Sequence, residues 1–313
     1  MRIVAKTKQS EIASVYIAEL KPDTLIEFTE SVYPNIPRIK KWIITVSTLD
    51  GCPVACKFCD AGFYYKGKLS KDDILSQILY LVDTFYSNRN VPVEKFKIQF
   101  ARMGEPTLNY NVINVLKDLP TLINAPGLMP SLSTVAPKGC ERFLDELIEI
   151  KNNYYKSSFQ LQFSIHSTNQ EQRNNIIPIQ KWDFDKIVSY SENFFQKGAR
   201  KISLNFALDK YSELNVDVLS QYFSPDIFLI KFTPINPTFS AEINKLSSLF
   251  TLDNSNKELI KKIEDAGYEV ILSFGEQMEN RIGSNCGQHI LNFLKSGENL
   301  KDSYTFDLIR YET

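Results

Sequence analysis

WIITVSTLDGCPVACKFCDAG, residues 42–62, runs from an apolar, β-branched segment straight into a loop that carries Cys52, Cys56 and Cys59. The Cys-x3-Cys-x2-Cys spacing gathers three thiolates on one short irregular stretch. Three such thiolates can hold three corners of a cubic iron–sulfur cluster and leave the fourth iron without a protein ligand. An iron with an open position can coordinate a substrate or cofactor, so the arrangement is reactive rather than structural. A structural zinc ion is the alternative reading, and it needs a fourth ligand such as Cys140, His166 or Cys286. Zinc sites usually offer paired Cys-x2-Cys knuckles, and there is no second knuckle in the chain.

Outward from this loop, apolar runs alternate with helical patterns. Strands are predicted over 42–48, 95–101, 130–135, 160–165, 201–207, 227–233 and 268–274. Helical spacing follows the cysteine loop at Ile74, Ile78, Leu81 and Phe85 and returns near 112–119, 141–150, 184–195, 216–223 and 257–266. Regular exchange of strand and helix means βα units and a parallel sheet. The expected fold is α/β, a partial (β/α)6 TIM-like barrel. A small β-hairpin precedes it, with strands over 12–18 and 24–28 and Lys21-Pro22-Asp23 as the turn. The organisation expected is an N-terminal extension over 1–41, a barrel core over 42–290 and a C-terminal tail over 291–313.

The 313 residues are 43% hydrophobic and 23% charged, which suits a globular enzyme with a large core. Five cysteines, an odd number with three in one loop, argue against a disulfide framework and for a reducing compartment. No apolar stretch has the length of a signal peptide or a membrane span, so a cytoplasmic protein with no membrane partner is expected. A net charge of −1 leaves no global electrostatic footprint for nucleic acid.

In parallel α/β barrels, chemistry sits at the C-terminal ends of the strands. The second predicted strand ends in ARMGEP, where Gly104 allows close backbone approach and Glu105 offers a carboxylate to an ammonium. The third ends at Ser133-Thr134, the fourth at Ser164-Ile165-His166, and the sixth runs into Pro234-Ile235-Asn236-Pro237. Singly, each has a plainer reading. Glu105 can start a helix, and His166 alone is more often a hydrogen-bonded strand-end residue. Their convergence on one rim favours function. Cys286, in RIGSNCGQH between Gly283 and Gly287, reads as a loop thiol rather than a packed one.

The Cys-x3-Cys-x2-Cys loop is the signature of radical S-adenosylmethionine (SAM) enzymes, and the order and wording of the motifs resemble the RlmN/Cfr family of radical SAM RNA methyltransferases. VSTLDGCPVACKFCDAG, MGEPTLNYNV, SLSTVAP, FSIHSTNQEQRNNIIPIQKW, INP and SNCGQH follow the family's sequence of segments over about residues 42–290. The resemblance implies a [4Fe–4S] cluster on Cys52, Cys56 and Cys59. It implies SAM contacts from Gly104, Glu105, Ser133, Ser164, Ile165, His166 and Asn236, with an external reductant such as flavodoxin or ferredoxin. It further implies that Cys286 accepts a methyl group and passes it to an sp2 carbon, of adenosine in RNA as in the family or of a smaller molecule. Two positions depart from the family: Thr45 stands where a resolving cysteine is expected, and Ala13 where a glutamate proton acceptor is expected, with Glu11 nearby. Cys140 is a candidate substitute thiol, and no counterpart of the accessory N-terminal RNA-binding domain is expected in residues 1–41. The alternative is a radical SAM enzyme that uses the 5′-deoxyadenosyl radical directly on a small-molecule or peptide substrate, with Cys286 as hydrogen donor or substrate contact.

Overall fold

The computed structural model describes residues 1–7, 11–32, 35–251, 256–275, 277–285, 289–294 and 307–311. Strands β1 (Arg2–Thr7), β2 (Ala13–Lys21) and β3 (Thr24–Ser31) form an antiparallel meander, and β3 pairs antiparallel with β4 (Lys41–Val46). Strands β5 (Leu49–Gly51) and β6 (Tyr65–Lys68) form a small separate hairpin at the two ends of the cysteine loop. Helix α1 (Lys71–Phe85) leads to β7 (Lys95–Phe100), α2 (Asn111–Leu122) to β8 (Leu128–Thr134), and α3 (Glu141–Ile150) to β9 (Gln160–Ser164). Then come α4 (Gln170–Ile176), α5 (Phe184–Phe194), β10 (Ile202–Phe206), α6 (Val216–Tyr222) and β11 (Phe228–Phe232). Helices α7 (Phe239–Ile243) and α8 (Lys257–Asp265) precede β12 (Val270–Leu272). Helices α9 (Gln277–Ile282) and α10 (His289–Leu294) and strand β13 (Leu308–Arg310) follow.

All large strands join one eleven-stranded sheet in the order β12-β11-β10-β9-β8-β7-β4-β3-β2-β1-β13. From β4 to β12 every pairing is parallel. This is the expected open α/β barrel, extended at one side by the antiparallel meander. The meander is longer than the predicted hairpin: β1 joins it, and β13 closes on β1 from the far end of the sequence. Glu11 is not on the strand. It lies exposed before β2 begins.

Period-two alternation sets the two faces. Trp42, Ile44 and Val46 on β4 and Phe96, Ile98 and Phe100 on β7 are fully buried, in the same core as Ile74, Ile78 and Leu81 of α1 and Val112, Leu116 and Leu119 of α2. Each such side chain contributes about 1.5–3 kcal/mol by leaving water. A reciprocal capping box between Ser70 and Asp73 starts α1, which satisfies donors the first turn would otherwise leave open. The alternate residues Thr45, Lys95, Lys97 and Gln99 are only half-buried and turn to the opposite, concave face. No helix among the described residues is long and apolar enough to cross a membrane.

One buried charge pair ties the barrel to both ends of the chain. Glu27 of β3 is fully buried and lies 2.8 Å from Nη2 of Arg102, which follows β7. Arg102 also donates to the carbonyls of Ser284 (2.9 Å) and Gly283 (2.6 Å), while Glu27 accepts from the Ile290 amide at 3.3 Å. Burial pushes the Glu27 carboxyl up and the adjoining guanidinium pulls it back down. Arg102→Met should therefore cost about 3–5 kcal/mol, the scale of an uncompensated buried charge. The double variant Glu27→Gln/Arg102→Met should recover most of that loss. Urea denaturation of the four proteins in the cycle measures both.

Candidate active site

The cysteine loop is held by hydrogen bonds on several sides. Cys52 donates its amide to the Tyr64 carbonyl (3.0 Å) and Lys57 donates to Ile176 at the end of α4 (3.0 Å). From the far side, Thr238 Oγ1 donates to the Phe58 carbonyl (2.9 Å), Ser240 Oγ to Cys59 (3.1 Å) and Asn244 Nδ2 to Lys57 (3.0 Å). Asp60, directly after the last cysteine, is buried and accepts from the amides of Phe239 (3.2 Å) and Ser240 (2.8 Å) at the start of α7. At Gly51 φ is 79°, and a Cβ there would stand 2.0 Å from the Tyr64 carbonyl oxygen, so only glycine fits.

Around the thiols the wall is apolar: Val54, Ala61, Val135, Ile176 and Ile177 pack with Cys52, and Cys56, Phe58 and Cys59 lie against them. Burial pushes the Cys52 thiol up to about 11 and raises Cys56 as well, with the charge on Cys52 adding to the effect. Thiols in such a setting ionise when a metal centre supplies the opposing charge. Among the described residues no three His, Cys, Asp or Glu side chains are gathered tightly enough to hold a single metal ion. A cubane makes a different demand, since each thiolate binds a separate iron. Soft thiolate donors in an apolar wall fit that group.

Glu105 stands at the centre of the rim. Its side chain is fully buried and accepts from Thr107 N (3.1 Å), Thr107 Oγ1 (2.7 Å), Thr134 Oγ1 (2.6 Å) and Val135 N (2.9 Å). It thus caps the turn Pro106–Leu108. Three of those bonds fall on Oε1 and one on Oε2, so Oε2 keeps acceptor capacity. Its charge acts on Cys52, Cys56 and Cys140. Gly104 has a φ of 99°, and a Cβ there would meet Leu49 at 2.5 Å, which packs this turn against the strand leading into the cysteine loop.

The remaining expected residues fall around the same rim. Ser133 is half-buried and accepts from Gln162 Nε2 at 3.2 Å. Ser164 ends β9. The Ile165 side chain is in the main core, which leaves its backbone for any rim contact. His166 adopts a φ of 64°, accepts from the Ala207 amide on Nδ1 (2.9 Å) and sets its ring edge-on to Phe58 of the cysteine loop, centroids 4.9 Å apart. Its proton is thereby placed on Nε2. Asn236 lies between Ile235, which packs against Phe58, and Thr238, which bonds to it; the buried Asn236 Oδ1 has no hydrogen-bond partner among the described residues. An orphaned acceptor of this kind suits a donor from a bound molecule.

Cys286 lies outside the described residues. Cys140 occupies the N-cap of α3, buried in the core, with its thiol raised by burial. Thr45 donates to Gln99 Oε1 at 3.1 Å, and Ala13 is buried against Val15 and Ile282. Sequence reasoning missed Thr107 and Asp60, which hold the functional groups in place, and named Thr134 at the strand end without its bond to Glu105. An aspartate directly after the third cysteine was the available signal for one of them.

The chain shares its fold with a solved structure. Its structure superposes on the crystal structure of a radical SAM methyltransferase from Sphaerobacter thermophilus with a TM-score of 0.67, at 16% identity, over 88% of this chain and 77% of that one. In sequence it is related to proteins called "Probable dual-specificity RNA methyltransferase RlmN". The Pseudothermotoga lettingae protein is 30% identical over 206 residues, 62% of this chain and 55% of that protein. The Chlorobium phaeobacteroides protein is 27% identical over 277 residues (84% and 71%), and that of Dictyoglomus thermophilum 25% identical over 304 residues (91% and 78%). The first of these matches spans about half the length of the relative. No protein-family model matches the chain.

Burial holds His166 down to about 3 and His289 to about 4, below the ordinary value of about 6.5. Depressed folded-state values mean that stability is complete above pH about 6.5 and is lost as pH falls toward the folded values, by up to ~1.4 kcal/mol per pH unit for each group. Urea midpoints of the metal-free protein should fall between pH 7 and pH 5. His166→Asn tolerates the left-handed backbone and does not titrate, so it should remove about half of that slope.

Proposed function

We propose that this chain is a radical SAM methyltransferase of the RlmN/Cfr type that methylates an sp2 carbon of adenosine in RNA. The observation that carries the reading is the buried Glu105 carboxylate, fixed beside the three-cysteine loop at the strand-end rim of this fold. Sequence kinship with proteins named RNA methyltransferases supports the substrate class. Cys52, Cys56 and Cys59 would hold a [4Fe–4S] cluster, which, when bound, supplies the electron for homolytic SAM chemistry. Glu105 receives the ammonium of SAM on Oε2, and its remaining bonds to Thr107, Thr134 and Val135 keep it from turning away. Asn236, Ser133, Ser164, the Ile165 backbone and the His166 Nε2–H orient the rest of the molecule, and the Gly104 backbone lines the same rim. The apolar wall of Val54, Val135, Ile176 and Ile177 excludes water.

Cys286 is the methyl-carrying thiol in this reading. Support comes from the residues just before it: the carbonyls of Gly283 and Ser284 are bound by Arg102, three positions from Glu105. Such a thiol needs reducing surroundings, and Cys52, Cys56 and Cys140 are free thiols, in keeping with a cytoplasmic enzyme served by a flavodoxin- or ferredoxin-like reductant. One observation favours the second reading, direct hydrogen abstraction with Cys286 as donor or substrate contact. Thr45 occupies the resolving position, and the nearest substitute expected, Cys140, is sealed in the core.

Anaerobic reconstitution should load about four irons per chain with sulfur-to-iron charge-transfer absorption, and Cys56→Ala should abolish it. Stoichiometric zinc without a recoverable cluster would sink the reading. Glu105→Gln should weaken SAM binding by about 1.5–3 kcal/mol, the scale of a charge-assisted hydrogen bond, while the cluster is retained. Peptides spanning residues 281–295 should carry one added methyl group under reducing, SAM-replete conditions, and Cys286→Ala should remove both the mark and turnover. Formation of 5′-deoxyadenosine with Cys286 never methylated would select direct abstraction instead.

A further inference from the structure

Helix α7 has five residues, too few to hold a helix in water by themselves. The amides of its first turn need partners from elsewhere. Ala241 donates to Thr238 Oγ1 at 3.0 Å, an ordinary N-cap bond. Phe239 (3.2 Å) and Ser240 (2.8 Å) donate instead to Oδ2 and Oδ1 of Asp60, one residue past the third cysteine. Bonds run the other way too. Thr238 Oγ1, Ser240 Oγ and Asn244 Nδ2 donate to the carbonyls of Phe58, Cys59 and Lys57. Ile235 packs with Ala207 and Ala241, and Phe58 lies against them. The start of α7 is thus completed by the cysteine loop. Asp60 is the ionised acceptor in this exchange and is buried, so its two amide bonds are charge-assisted and costly to leave unmade.

We infer that Asp60 is a positioning residue that, through the start of α7, makes the place of Asn236 depend on the state of the cysteine loop, so that cluster loading and SAM binding favour each other. The inference rests on the reading of Cys52, Cys56 and Cys59 as cluster ligands and of Asn236 as a SAM contact. A metal centre held by three thiolates of one loop orders that loop. Asp60 passes the order to Phe239 and Ser240. Asn236 lies two residues before the Thr238 cap, and Pro237 between them fixes one backbone angle, so a displaced Thr238 carries Asn236 with it. Its buried Oδ1, without a hydrogen-bond partner among the described residues, is the group whose position then changes. Linkage makes the effect mutual, since whatever cluster loading does for SAM, bound SAM does for the cluster.

Hydrogen–deuterium exchange and SAM dialysis test this on the full chain, with and without the reconstituted cluster, in anaerobic and non-reducing buffer. Loading should slow exchange at the amides of Phe239, Ser240 and Ala241 about tenfold in the wild type and less than about twofold in Asp60→Ala. That variant should carry as much iron as the wild type yet hold SAM about fivefold more weakly. Asp60→Asn keeps one acceptor oxygen and should fall between the two. Glu105→Gln is the contrast, since it weakens SAM directly but leaves the exchange response to loading intact. A merely structural Asp60 would speed exchange equally with and without the cluster. Should Asp60→Ala load no iron, Thr238→Val, which leaves the cysteine loop's own side chains unchanged, gives the same two readouts and should likewise lose the response. An exchange response in these variants equal to that of the wild type, or an unchanged SAM affinity, would overturn the coupling and leave the enzymatic reading standing. A wild-type chain that loads no cluster or binds no SAM would remove that reading, and the coupling with it.

Discussion

A single buried carboxylate organises the rim. Glu105 draws together the end of β7, through its own turn and Thr107, and the end of β8, through Thr134 and Val135. A carboxylate without water must find its partners in the protein. These donors therefore fix where two neighbouring strands stop and where the next loops begin. The cysteine loop is referred to the same point, because Gly104 packs on Leu49 just before it and the Thr48 amide donates to the Met103 carbonyl. Loss of the charge would thus loosen the strand-end rim, while the cysteine loop keeps its own bonds to Thr238, Ser240 and Asn244.

Much of this was legible in the residues. KFKIQF alternates so regularly that both the extent of β7 and its apolar face follow from it, and the same holds for β4. The cysteine spacing and the strand-end motifs located the rim. The pairings hidden from sequence are those made between distant segments. Nothing local in RIVAKT or LIR announces that β1 and β13 will meet across the length of the chain. Glu27, inside the apolar strand TLIEFTES, gives no sign of its partner Arg102, since only the fold brings them together. The 268–274 segment shrinks to a three-residue strand at the margin of the sheet, where among the described residues only β11 pairs with it.

The interior and the rim divide their charge by sign. At the rim a carboxylate waits beside thiols; below it, lysines line the concave face. A molecule that carries an ammonium at one point and an anionic group farther along meets complementary fields in succession. Orientation is then set before any close contact forms.

Among the described residues the open sheet of eleven strands has two margins, and a margin is a template on which another chain could add a strand. Here the outermost strands, β12 and β13, have three residues each. So short a margin offers too few unpaired amides and carbonyls to seed growth, and Arg310 adds a charge to one of them. Without β13, the six residues of β1 would become the border, a longer invitation to self-association. The small terminal strand therefore acts as a guard against aggregation, far from any chemistry the barrel performs.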